Sequence, residues 1–298
     1  MAVVGSRQAM AESRLGMDVV IVTRDRRASL LRTLDHLVAL PEQPHIIVVD
    51  NASGDGTESA VRAAYPDVEV VRLAFNAGAA GRTVGVTCSR ARYVAFADDD
   101  SWWAPGALAA AVEVLDEAPT LAVLVARLLV GRQNRLDPVC EQLADSPLGV
   151  CRGAPARAVA GFPACAAVVR RQPFLDVGGF HPKYGVGGEE ELLALDLMAA
   201  GWELGYVDQV VAHHHPASEE RAGRGRRQVR NALWTTWLRR SPPAVARETT
   251  SLLLAGLRDP QARHGVIDAL VGLPWVLGER RQVPAAVEEA SEVCARSG

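Results

Sequence analysis

The sequence is poor in cysteine. Its 298 residues include five cysteines, an odd number, and no two of them form a Cys-x-x-Cys pair. They are Cys88, Cys140, Cys151, Cys165 and Cys294. A disulfide framework needs paired cysteines and a structural zinc site needs short, repeated spacings, so neither is expected. This composition favours the reducing environment of the cytoplasm.

The chain also lacks a strong net charge and a long apolar run. The formal net charge is −3, which gives no electrostatic reason to expect nucleic acid as a partner and suits an enzyme of small molecules. No run approaches the roughly 18 apolar residues of a membrane-spanning helix. Residues 1–16 lack the apolar core of a secretory signal and are expected to be a disordered leader. We expect a cytoplasmic protein, with peripheral binding to the inner membrane face as the alternative.

What the sequence does contain is a regular alternation of strand and helix patterns. Apolar runs rich in β-branched residues, at 18–23, 45–50, 68–73 and 93–97, are short enough to be buried strands. Between the first two, Leu30, Leu34 and Leu37 have a helical spacing. Short connections between alternating strands and helices predict an α/β fold, in which a mostly parallel sheet is flanked by helices.

The pattern changes after Pro216. Residues 17–217 contain the alternation, whereas residues 218–298 have helical patterns only and begin with a basic stretch. We therefore predict one α/β domain over 17–217 and a helical C-terminal region over 218–298. Within the α/β domain, residues 121–130 fit either a strand or a buried helix. Residues 131–160 are expected to be an irregular excursion that passes over the binding site.

Polar residues follow four of the predicted strands directly. These clusters are Thr23-Arg24-Asp25, Asp50-Asn51, residues 76–82 and Asp98-Asp99-Asp100. In parallel α/β sheets, ligands bind beyond the carboxyl ends of the strands. Four polar clusters at one edge of the sheet therefore predict a binding site there.

The three aspartates have two interpretations. In an extended segment Asp98 and Asp100 point to one side and Asp99 to the other. Two carboxylates on one side suit a hard cation such as Mg²⁺ or Mn²⁺ carrying a diphosphate. The alternative is a solvated loop that caps the helix after Pro105.

The cluster Asp50-Asn51 and the cluster of residues 76–82 also have alternative interpretations. Asp50 ends a buried strand, where its carboxylate can accept hydrogen bonds from a base or ribose, or simply stabilise a turn. The segment NAGAAGRTVG, residues 76–85, matches a dinucleotide fingerprint poorly, because its glycine spacing is wrong. It can still bring a loop and a helix start close to a nucleotide, with Arg82 facing phosphate or stabilising the fold.

Acidic and histidine-rich segments occur further along the chain. Glu189, Glu190 and Glu191 follow two glycines at a predicted helix start, where carboxylates either cap the helix or supply a catalytic base. His213 and His215 lie just after an apolar strand and are candidate metal ligands. Chemistry alone does not separate these two histidines.

Six segments together resemble the motifs of family 2 glycosyltransferases with the A-type nucleotide-diphospho-sugar fold. The resemblance covers residues 17–217 in order. The segments are VVIVTRDR, VVDNASGDGT, NAGAAGRTVG, YVAFADDDSWWAP, VGGFHPKYGVGGEEELLALDLMAAGW and VVAHHHP. It implies an inverting, metal-dependent transfer of a sugar from a UDP-, dTDP- or GDP-linked donor to an acceptor hydroxyl.

The resemblance also implies roles for single residues. Those implied to contact the nucleotide are Thr23, Arg24, Asp25, Asp50, Asn76, Gly78, Arg82, Asp98 and Asp99. Asp98 and Asp100 match the metal-binding DxD pair, His213 matches a histidine of the metal or diphosphate site, and His215 is its alternative. Glu190 falls at the position of the catalytic base, where the family usually has aspartate.

Two other functions remain as alternatives. A nucleotidyltransferase that makes nucleotide sugars has a similar sheet, but needs a glycine-rich loop that TRDRRAS lacks. A non-catalytic nucleotide-sugar-binding module would not need carboxylates at Asp98, Asp100 and Glu190. The basic stretch of residues 221–240 fits an anionic lipid surface, an acceptor phosphate or a solvated helix face.

Overall fold

A computed structural model of the protein describes residues 15–216 and 224–297. The predicted leader therefore lies almost entirely outside the described residues, as do the predicted boundary at residue 217 and the start of the basic stretch. Within the described ranges, every helix is too short or too polar to cross a membrane.

The N-terminal half of the sheet is parallel. It contains β1 (Met17–Thr23), β2 (His45–Asp50), β3 (Glu69–Arg72) and β4 (Tyr93–Asp98), in the spatial order β3-β2-β1-β4. The connecting helices are α1 (Arg27–Val38), α2 (Thr57–Ala64) and α3 (Ala80–Cys88). The apolar residues of β1, β2 and β4 are buried almost throughout, as strands covered on both faces require. The predicted α/β class is thereby confirmed.

The second half of the sheet is mixed. Its strands are β5 (Ser101–Trp103), β6 (Leu121–Val130), β7 (Arg135–Leu136), β8 (Arg157–Ala158), β9 (Ala167–Arg170) and β10 (Glu203–His214). The order continues β4-β9-β6-β10-β5, where β9 is antiparallel to both neighbours and β6 is parallel to β10. Its helices are α4 (Ala107–Glu117), α5 (Pro138–Ala144), α6 (Arg171–Asp176) and α7 (Glu189–Ala199).

Three local differences from the sequence pattern arise here. Residues 121–130 form a strand, which settles the alternative left open for that run. The segments WELGYV and QVVAHHHP each have the pattern of a separate strand, but they form one strand, β10, whose pairing with β6 shifts register between Val207 and Val211. The segment over 131–160 is less irregular than expected, because it contains β7, α5 and β8.

Five helices follow the sheet within residues 224–297. They are α8 (Arg224–Arg239), α9 (Pro242–Gly256), α10 (Pro260–Val271), α11 (Leu273–Glu279) and α12 (Ala285–Ser297). Leu233, Trp234 and Leu238 of α8 form a second hydrophobic cluster with Tyr184 and with Leu192 of α7. Because α7 begins at the predicted catalytic glutamates, the C-terminal helices support one wall of the predicted site.

Candidate active site

One cleft collects most of the predicted site residues. Its volume is about 1470 Å³, and it lies at the carboxyl edge of β1 and β4. The residues of the sequence-predicted set that line it are Thr23, Arg24, Asn76, Gly78, Arg82, Asp98, Asp99, Asp100 and Glu190. The residues that follow β1, β3 and β4 come together because parallel strands end at the same edge of the sheet. Glu190 instead begins α7, and the preceding loop is held beside them by the hydrogen bond from the N–H of Ala79 to the carbonyl of Gly185.

All three aspartates line the cleft, because the chain turns directly after β4 and does not remain extended. Arg26 bridges two of them: its Nη2 donates to Asp100 Oδ2 at 2.6 Å, and its Nε lies 2.7 Å from Asp99 Oδ1. Thr23 Oγ1 donates to Asp99 Oδ2 at 3.0 Å. Burial raises the pKa of Asp99 to about 6, against the opposing effect of Arg26. The expected alternation of Asp98 and Asp100 against Asp99 is therefore absent.

Arg82 connects the aspartates to the start of α7. Its guanidinium donates to Asp98 Oδ1, and its Nη1 lies 3.8 Å from Glu189 Oε1. Burial alone would lower the pKa of Arg82, but the carboxylates of Asp98 and Glu189 raise it. Of the two alternatives left open for Arg82, stabilisation of the fold is the one visible in these contacts.

The three glutamates at the start of α7 have different environments. Glu189 is buried and its side chain accepts from the backbone N–H of Gly187, while Glu191 accepts from Arg240 Nη2 at 3.0 Å. Within the described residues, Glu190 has no arginine, lysine or histidine partner within ion-pair distance, and it is partly exposed in the cleft. Burial of the carboxyl group, followed by the charge of Glu189, raises the pKa of Glu190 to about 7.

The structure corrects the placement of the histidines. His214 Nε2 lies 3.4 Å from Asp100 Oδ1 and lines the cleft, whereas the predicted His213 and His215 pack beside Trp102. The reason is the two-residue period of a strand, which points neighbouring side chains to opposite faces. Burial opposes protonation of His214, but Asp100 raises its pKa. The alternation within β10 was the signal that could have identified His214.

Two other predicted residues do not line the cleft. The carboxylate of Asp50 is fully buried and accepts from Arg72 Nη1 at 2.8 Å and from the backbone N–H of Ser53. Asp25 accepts from the backbone N–H of Gly54 at 2.7 Å. Both carboxylates hold the loops around the site, and that of Asp50 is closed to a ligand in this arrangement because it is fully buried.

Asn51 is a residue that sequence reasoning missed as an organiser of the cleft wall. Its Nδ2 donates to the carbonyl of Gly78 at 3.0 Å, and its Oδ1 accepts from the backbone N–H of Ala77. Gly78 has a φ of +59°, and its loop packs against the loop of Gly185, whose carbonyl accepts from the N–H of Ala79 at 2.9 Å. These contacts hold the Asn76–Gly78 loop against the glycine-rich entry to α7.

We expect Gly78→Ala to destabilise this wall more than an ordinary glycine substitution would. A Cβ at Gly78 would lie 2.6 Å from the Cα of Gly185, whereas one at Gly106, with a φ of +83°, meets no described atom within 4 Å. Gly106→Ala is the matched control and should cost about 1–2 kcal/mol for its left-handed backbone. The clash should add about 1–3 kcal/mol at Gly78. Urea unfolding measures both, and equal losses would contradict the close packing of the two loops.

The aspartates have the donor chemistry that a divalent cation needs. Within the described residues, no group of three or more His, Cys, Asp or Glu side chains is arranged to hold a metal alone. Mg²⁺ is usually bound by only one or two carboxylates together with phosphates of the substrate. Asp99 Oδ1 is buried and has no aligned hydrogen bond, despite its closeness to Arg26 Nε. Hard carboxylate oxygens in this position fit Mg²⁺ or Mn²⁺.

A mixed sheet with an acidic cleft at its carboxyl edge is the architecture of A-type glycosyltransferases. The chain belongs to glycosyl transferase family 2, whose sequence model matches residues 18–178. It is therefore a glycosyltransferase. This assignment decides against the nucleotidyltransferase and the non-catalytic module.

Individual relatives agree with the family. N-acetylglucosaminyl-diphospho-decaprenol L-rhamnosyltransferase of Mycobacterium tuberculosis is 26% identical over 250 residues, which are 67% of this chain and 76% of that protein. Among solved structures, the Pyrobaculum calidifontis mannosyltransferase PcManGT, in complex with GDP-Man and Mn²⁺, aligns with a TM-score of 0.59 and 19% identity, over 94% of this chain and 84% of that one. S. aureus TarS 1-349, in complex with UDP-GlcNAc, gives a TM-score of 0.59 and 15% identity, over 94% and 87%.

A further solved structure aligns with this chain over only part of its own length. GalNAc-T7 with UDP, GalNAc and Mn²⁺ aligns with a TM-score of 0.59 and 16% identity, over 76% of this chain but 48% of that one. This chain thus spans about half of that protein. At such identities the structural comparisons establish the fold alone.

Proposed function

We propose that the protein transfers a sugar, with inversion at the anomeric carbon, from a nucleoside-diphosphate donor to an acceptor hydroxyl. Glu190 is the general base. In a single displacement, the acceptor oxygen forms a bond to the anomeric carbon, and the bond from that carbon to the diphosphate oxygen breaks on the opposite face. The acceptor proton passes to Glu190, and the nucleoside diphosphate leaves. A UDP-, dTDP- or GDP-linked sugar is the donor.

The observation that carries this proposal is the state of Glu190. It is the one glutamate of its group whose carboxylate is free of a basic partner within the described residues, and it shares a cleft with three aspartates. A base must accept a proton near neutral pH, and a carboxyl group in a partly desolvated cleft has the required raised pKa. Glu189 and Glu191 are both engaged with arginine.

Asp98 and Asp100 are the residues that we assign to a divalent cation, with Asp99 beside them and His214 in place of His213 or His215. A bound Mg²⁺ or Mn²⁺ would neutralise the diphosphate that leaves. Two of the solved structures named above contain Mn²⁺ with a nucleotide or nucleotide sugar, which supports the assignment. Arg26 and Arg82 hold these carboxylates in place and reduce the repulsion between them.

The acceptor that we propose is a saccharide attached to a lipid through a diphosphate. The Mycobacterium tuberculosis relative is named for such an acceptor, N-acetylglucosaminyl-diphospho-decaprenol. In this chain, Lys183, Arg224 and Arg227 line the end of the cleft formed by α8, and their cationic groups suit a diphosphate. The acceptor hydroxyl would then approach Glu190 from that end.

Binding of the donor is expected to depend on the cation. In a thermal-shift screen of UDP-, GDP- and dTDP-sugars, one nucleotide should stabilise the protein with Mn²⁺ and much less without it. A ligand at 100 times its dissociation constant adds about 2.7 kcal/mol to the free energy of unfolding. The control is Mn²⁺ alone. If no nucleotide produces a metal-dependent shift, the proposed donor site is refuted.

The rate of transfer should rise with pH. Because burial and Glu189 raise the pKa of Glu190 to about 7, its carboxyl group is protonated and inactive below that pH and accepts a proton above it. We expect kcat/KM to increase about tenfold per pH unit below the apparent pKa and to level off above it. Initial rates with donor and acceptor test this. A rate that is flat or falls over this range would exclude Glu190 as the base.

A further inference from the structure

The C-terminal helices expose an unusual amount of apolar surface. Ten large hydrophobic side chains are exposed among the described residues, and seven of them lie in three consecutive helices or their connections. We call these seven the apolar set: Leu253, Leu254, Leu257, Ile267, Leu270, Val271 and Leu277. Leu257 and Val271 are each 78% exposed. Such a concentration marks an interaction surface, because scattered exposed apolar residues are ordinary but a cluster is not.

Unpaired basic residues lie among the apolar set. Arg258 follows Leu257 directly, and Arg263 lies one helical turn before Ile267 on α10. Both are exposed, and neither makes an ion pair with a described residue. Residues 257–271 contain two arginines and two aspartates, and Asp268 is paired with Arg226 of α8, which leaves one net positive charge beside this part of the apolar set. Positive charge beside apolar side chains is complementary to an anionic bilayer.

This surface is joined to the mouth of the cleft. Arg226 of α8 donates two hydrogen bonds to Asp268 of α10, at 2.5 and 2.6 Å. Lys183, which lines the cleft, has its Nζ 5.1 Å from the ring centre of Trp275 in α11. The helices that carry the apolar set therefore sit next to the basic end of the cleft.

We propose that α9, α10 and α11 form a docking surface for an anionic lipid bilayer. The apolar set enters the boundary between headgroups and acyl chains, while Arg258 and Arg263 contact the headgroups. The basic end of the cleft then opens close to the bilayer. The inference deepens the proposed function, since it states where a lipid-linked acceptor is met, but the binding itself requires no transfer reaction.

Sedimentation of the full chain with vesicles tests the proposal. We expect at least about tenfold more protein bound to vesicles with 30% phosphatidylglycerol than to pure phosphatidylcholine vesicles. The double variant Leu257→Glu, Val271→Glu should lose at least about tenfold of that binding. Both substituted side chains are largely exposed, so the melting temperature should stay that of the wild type.

The matched control adds the same negative charge elsewhere. Val38 and Val150 are also exposed, at 46% and 65%, and lie outside the three helices. The double variant Val38→Glu, Val150→Glu should bind vesicles as the wild type does.

Three outcomes would overturn the proposal. They are no vesicle binding by the wild type, no preference of the wild type for anionic vesicles, and an equal loss of binding in both double variants. If the wild type is a dimer that does not bind vesicles, and the variant Leu257→Glu, Val271→Glu is a monomer, the surface binds a second copy of this chain instead. If the wild type binds vesicles but does not bind a nucleotide or does not transfer a sugar, only the proposed function is refuted.

Discussion

Glu190→Gln is expected to lower kcat by about 10²–10⁴-fold, the usual contribution of a positioned general base. Glutamine has nearly the same shape as glutamate but cannot accept the proton of the acceptor hydroxyl. The substitution also removes no ion pair, because Glu190 has no basic partner within the described residues. Affinity for the donor, measured by calorimetry with Mn²⁺, should therefore remain within about threefold of the wild type.

The neighbouring glutamate provides the matched control. Glu191→Gln changes a carboxylate in the same turn of α7, but one that accepts from Arg240. It should cost much less activity than Glu190→Gln. Glu190→Asp, which retains a carboxylate one methylene shorter, should retain measurable transfer. Near-normal turnover of Glu190→Gln, or an equal loss in Glu191→Gln, would show that the proton goes elsewhere.

The sequence was sufficient to predict which segments meet at the cleft. Thr23, Gly78, Asp98 and Glu190 are far apart in the chain, yet all four line it. The alternation of buried strands and helices fixes the direction of the strands, and that direction brings the polar residues at their ends to one edge. Segment order and strand ends are local properties, so they can be inferred from a single sequence.

The partners of these side chains were not predictable in the same way. No motif in the sequence assigns a role to Arg26, which lies three residues after Thr23 and bridges Asp99 and Asp100. Asp50 was expected to meet a ligand, but Arg72 of the neighbouring strand occupies its carboxylate. Both pairings depend on loop geometry and on register between strands, which hydrophobic periodicity does not specify.

The histidines show how a small local error changes a site. The sequence pattern predicts that the segment HHHP follows the strand, where the alternation of side chains does not apply. The strand β10 in fact continues through His214, and its pairing with β5 places His213 opposite Trp102. A side chain one position along a strand faces the other side of the sheet. The boundary of the element therefore decided which histidine reaches Asp100.

Arg239→Met is expected to reduce the free energy of unfolding by about 3–5 kcal/mol, the cost of breaking a buried ion pair. Arg239 of α8 donates to both carboxylate oxygens of Asp196 in α7, at 2.5 and 3.0 Å, and the two residues are only 8% and 9% exposed. Methionine keeps the apolar contacts of the side chain but leaves the carboxylate of Asp196 buried. Arg281, 3.8 Å away on an exposed side chain, compensates only weakly.

Two further variants separate charge burial from simple loss of contacts. Arg226→Met breaks the exposed pair with Asp268 and should cost no more than about 1 kcal/mol. The double variant Arg239→Met, Asp196→Leu removes both charges and should recover most of the loss, since an apolar pair of similar volume is often as stable as a buried ion pair. Urea unfolding followed by circular dichroism measures all three. Equal losses for Arg226→Met and Arg239→Met would mean that the buried ion pair does not hold α7 against α8. In that case the hydrophobic contact of Leu192 with α8 would be what supports the wall that carries Glu190.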